Sequence, residues 1–99
     1  VLAHPASVDT IPTDGSKEDV VPMAMGAALK LRRILHNVRH VLAVELMCAA
    51  QGLEFRRPLK SGAGVERAFA AVRTRVPALR EDRVLGPDIE ALAELVRTG

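Results

Sequence analysis

Residues 23–53 read MAMGAALKLRRILHNVRHVLAVELMCAAQGL. No proline interrupts them, and the only glycines are Gly26 and Gly52. Ala, Leu and Met dominate the run, residue types that lose little freedom on entering a helix. The start signals lie just upstream. Ser16 can cap, and Asp19 three residues on can answer its backbone amide. Glu18 and Asp19 suit the positive end of a helix dipole. Pro22 falls near the first turn, where proline costs least. One helix is therefore expected over 17–53.

Its length is informative. At about 1.5 Å per residue it would run roughly 50 Å, whereas a compact domain of this size has a radius of gyration of about 13 Å. Its apolar content is also too wide for one face. Met23–Leu29 and Val41–Ala50 are apolar almost all round, with Glu45 as the exception. Helices of that kind belong inside something larger. The middle section carries Lys30, Arg32, Arg33, His36, Asn37, Arg39 and His40 and must meet solvent or polar partners. The chain is expected to be part of a larger protein or an obligate oligomer.

Outward from this helix the punctuation is clear. Pro5, Pro12 and Gly15 make 1–16 an extended loop, with Asp9, Asp14 and Ser16 as turn formers. Pro58, Gly62 and Gly64 mark a connector over 54–64. Val65, Ala68, Phe69, Val72 and Val76 form a stripe at helical spacing, so a second helix is expected over 65–76, ended by Pro77. Pro87 suits a first turn, and Ile89, Leu92, Ala93 and Val96 give a third helix over 87–98. The fold class is all-α: one very long helix plus shorter amphipathic ones.

Composition narrows the function. Of 99 residues 48% are hydrophobic and 26% charged, a globular balance. There is no Trp or Tyr, and the only aromatics are Phe55 and Phe69. Fourteen basic residues against twelve acidic give a net charge of +2, too even to imply nucleic acid. No apolar run approaches the roughly 18 residues that a membrane span needs. The single Cys48 cannot form an internal disulfide and sits in an apolar run. A buried thiol in a reducing, cytoplasmic setting is expected. His36 and His40 are four apart, a spacing that can hold a metal, but no third ligand is evident and none is expected to bind.

The loop and helix start, Pro5-Ala-Ser-Val-Asp-Thr-Ile-Pro-Thr-Asp-Gly-Ser-Lys-Glu-Asp-Val-Val-Pro-Met23, resemble a segment of the histidine ammonia-lyases, within the aromatic amino acid ammonia-lyase family. The resemblance continues through Asn37–Leu46, Ala49–Leu53, Arg56–Leu59 and Asp82–Glu90, so it covers essentially the whole chain. It implies a C-terminal piece of a larger lyase, packed into a long helical bundle that forms a homotetramer with the upstream part of the same enzyme. It implies non-oxidative deamination of L-histidine to urocanate and ammonia. The family's electrophile is a methylidene-imidazolone group formed from an Ala-Ser-Gly triplet. That triplet is missing here: Ala6-Ser7 is followed by Val8, and Ser61-Gly62 is preceded by Lys60. This piece alone is therefore expected to be inactive.

What the resemblance assigns to this chain is Glu18, at the family's active-site glutamate. A carboxylate can accept an imidazole N–H and favour the charged ring, or act as a base. The phenylalanine and tyrosine lyases carry Gln there, which suits an uncharged ring, so Glu18 points to histidine. Lys17, placed with Glu18 in the substrate site, replaces the family's usual Gln. Val20 replaces His, and Pro22 replaces Ser. These departures bear on the substrate more than on the fold. The alternatives are a tyrosine or phenylalanine lyase, an aminomutase with the same electrophile, or a non-catalytic helical oligomerisation module.

Overall fold

The computed structural model describes residues 2–6, 15 and 23–99. Three helices follow one another among them: α1 Ala24–Glu54, α2 Ala63–Arg75 and α3 Gly86–Thr98. No described residue lies in a strand, and the fold is all-α. The expected first turns of the long helix, with the Ser16 cap and Pro22, lie outside the described residues.

The chain divides into two compact units, Val1–Asn37 and Val38–Gly99. In the first, residues 2–6 and the opening turns of α1 line a common cavity. Along those turns Met25, Leu29, Leu31 and Leu35 are exposed.

The second unit holds the core. Ala43 and Ala50 of α1 meet Val72, Val76, Leu92 and Ala93, all buried. Leu46, Met47, Phe69, Ile89, Ala91 and Leu95 pack around them, half-buried. Positions 43, 46, 47 and 50 are one helical face, as are 89, 92 and 93. The stripe expected on α2 is narrower than its spacing suggests. Val72 is buried and Phe69 half-buried, but Val65 and Ala68 are exposed.

Cys48 is exposed, contrary to the expected buried thiol. The reason is angular. At about 100° per residue it sits roughly 150° round α1 from the Ala43–Ala50 line. That open side also carries Val41, 66% exposed.

The links between helices are fastened by side chains. Val76 N–H reaches back to Val72 O and closes α2, with Pro77 next in the chain. The following connector has no regular structure, and Gln51 of α1 grips it at Leu79. The Gln51 amide Nε2 donates to Leu79 O at 3.0 Å, and its Oε1 accepts Leu79 N–H at 2.9 Å. Arg83 donates to Pro77 O at 2.9 Å and Ala78 O at 3.3 Å, while its Nε donates to Asp88 at 2.9 Å. Asp88 lies in the first turn of α3, behind Pro87, where a negative charge suits the helix dipole. At the far end Gly99 closes α3 at φ +90, a left-handed conformation natural to glycine.

Candidate functional site

Glu18 and Lys17, the residues singled out by sequence, lie outside the described residues. What is described is the segment before them and the helix after them. His4 and Pro5 on one side, and Ala27, Lys30, Leu31 and Ile34 of α1 on the other, line an open cavity of about 270 Å³. The same unit carries a basic concavity of about 640 Å³, lined by Leu29, Arg32, Arg33, His36 and Asn37. Of the basic stripe, Lys30 lines the first hollow and Arg32, Arg33, His36 and Asn37 line the second.

In the second unit several charged residues are matched in pairs. His40 Nε2 lies 3.0 Å from Glu90 Oε1, linking α1 to α3. Arg73 donates through Nε to Glu54 at 2.9 Å and through Nη2 to Gln51 at 3.4 Å. Arg57 donates two hydrogen bonds to Glu66, at 3.1 and 3.0 Å, and Ser61 N–H adds a third at 2.8 Å. The Arg57 bonds first, then the Ser61 amide, hold the Glu66 carboxyl below its ordinary value. The same pairing raises the Arg57 guanidinium above its own. Phe69 lies close to two of these cations, with Arg57 Cζ 4.5 Å and Arg73 Cζ 5.2 Å from the ring centre.

A third cavity, about 310 Å³ and mainly apolar, lies under the connector between Met47, Cys48, Phe55, Leu79 and Leu85. Among the described residues no group of three or more His, Cys, Asp or Glu could hold a metal ion. No described helix is long and apolar enough to cross a membrane. The His36–His40 spacing is used differently at its second residue, through the contact with Glu90.

Sequence reasoning missed the Gln51 grip, because a lone Gln in a helix carries no signal of a partner 28 residues away. It also merged Lys30 with its basic neighbours. The apolar residues around it, Ala27, Leu31 and Ile34, were the signal that sets it apart.

Residues 1–74 match the aromatic amino acid lyase family, and the chain belongs to that family. It is 58% identical over all 99 residues to histidine ammonia-lyase from Symbiobacterium thermophilum, covering 20% of that protein. It is 52% identical to histidine ammonia-lyase from Koribacter versatilis, again over its whole length and over 19% of the relative. The crystal structure of histidine ammonia-lyase from Trypanosoma cruzi matches 99% of the chain and 19% of its own, with a TM-score of 0.92 at 38% identity. The ergothioneine-degrading ergothionase from Treponema denticola matches 98% of the chain and 20% of its own, with a TM-score of 0.88 at 33% identity. The chain thus spans about one fifth of the length of the relatives it matches.

Proposed function

We propose that this chain is a part of a histidine ammonia-lyase, the part that carries Glu18 to the substrate. The reaction is the non-oxidative elimination of ammonia from L-histidine to give urocanate. The observation that carries the reading is the 58% identity, over every residue of this chain, to a relative of that name. The ergothionase, at 33%, is more distant, so histidine is preferred over ergothioneine.

Glu18 has the chemistry the substrate calls for. Its carboxylate accepts the imidazole N–H and stabilises the charged ring. Lys17 beside it supplies a positive charge to the same site. The methylidene-imidazolone electrophile does not fit on this chain, which has no Ala-Ser-Gly triplet. No step is assigned to it here, and the chain by itself is expected to release no ammonia.

The long helix supports a further part of the proposal. In its second half Val38, Val41, Leu42 and Val44 are all exposed. Leaving that much apolar surface wet is unfavourable at about 25 cal/mol per Å². Exposed patches of this kind mark contact with other polypeptide. The partners proposed are the remainder of the lyase and further copies of it in a homotetramer.

The test is ammonia release by the lyase that carries this chain, offered histidine, tyrosine, phenylalanine and ergothioneine separately. Turnover of histidine, lost on Glu18→Gln, supports the reading. Preference for another of the four keeps the family and replaces the substrate. Turnover of none points to an aminomutase or a non-catalytic helical module.

A further inference from the structure

We draw no further inference here: the strongest candidate, the mainly apolar cavity of about 310 Å³ beneath the connector that follows α2, lined by Met47, Cys48, Phe55, Leu79 and Leu85, carries nothing, because nothing in the structure shows what covers it.

Discussion

At the scale of single residues the chemistry rests on carboxylates in different settings. Glu18 is proposed to meet the substrate, so Glu18→Gln should lower histidine turnover by about a hundredfold or more, the usual range for a positioned acid or base. Steady-state ammonia release measures this, and an unchanged rate would remove Glu18 from the reaction. Glu66 serves structure instead. Its carboxyl is held below the ordinary value by Arg57 and the Ser61 amide. The stability it contributes is present above the unfolded carboxylate range and is lost as pH falls through the lower folded value. Thermal midpoints of the unsubstituted chain should therefore drop on acidification more steeply than those of Glu66→Gln. Parallel curves would show that the pairing contributes nothing. Sequence reading reaches the two residues to different degrees. Glu18 stands in a motif whose neighbours are all adjacent in sequence. Glu66 finds Arg57 across a connector whose path no local pattern encodes.

At the scale of elements, the helices were readable and their fastenings were not. Periodicity and proline punctuation gave three helices, and the observed α2 and α3 begin one or two residues before the expected positions. Proline and glycine act locally, so their message survives without tertiary context. The Gln51 grip on Leu79 is different, because it depends on where a structureless connector returns to α1. Gln51→Ala should remove both hydrogen bonds and speed amide exchange at Leu79 about tenfold, consistent with about 1 kcal/mol per bond. Protection at Leu79 that survives the substitution would assign the order of the connector to Arg83 alone. The site was less legible than the helices, since Glu18 and Lys17 lie outside the described residues. The hollow beside Lys30 arises where 2–6 meets α1, and composition grouped that lysine with a basic stripe.

At the scale of the whole molecule, the core is small and one side of the long helix is open. Leu92 is fully buried in the second unit. Leu92→Ala should cost about 3 kcal/mol, combining lost transfer energy with the cavity left behind. Chemical denaturation measures it, and a cost below about 1 kcal/mol would mean that the core is loosely packed. Val41, by contrast, is 66% exposed. Val41→Glu should leave the helix content of this chain unchanged while weakening assembly of the lyase that contains it. Circular dichroism and light scattering give the two readings. Intact assembly would show that this side of α1 faces solvent. Helix length and all-round apolarity led to the expectation of covering polypeptide, whereas Cys48 was misjudged, because apolar neighbours along the chain do not say which side of a helix is covered.

The ring of Phe69, close to both Arg57 and Arg73, has a consequence for how this protein can be observed. Without Trp or Tyr the chain has no intrinsic fluorophore of use above the peptide background. Phe69 supplies a magnetic label instead. Its ring current falls on two guanidinium groups, one from α2 itself and one from the link that precedes it, and displaces their proton resonances from those of the other arginines. Arg73 in turn is bonded to Glu54, at the end of α1. Two shifted arginine signals therefore report, without any added probe, whether three separate pieces of the second unit have come together.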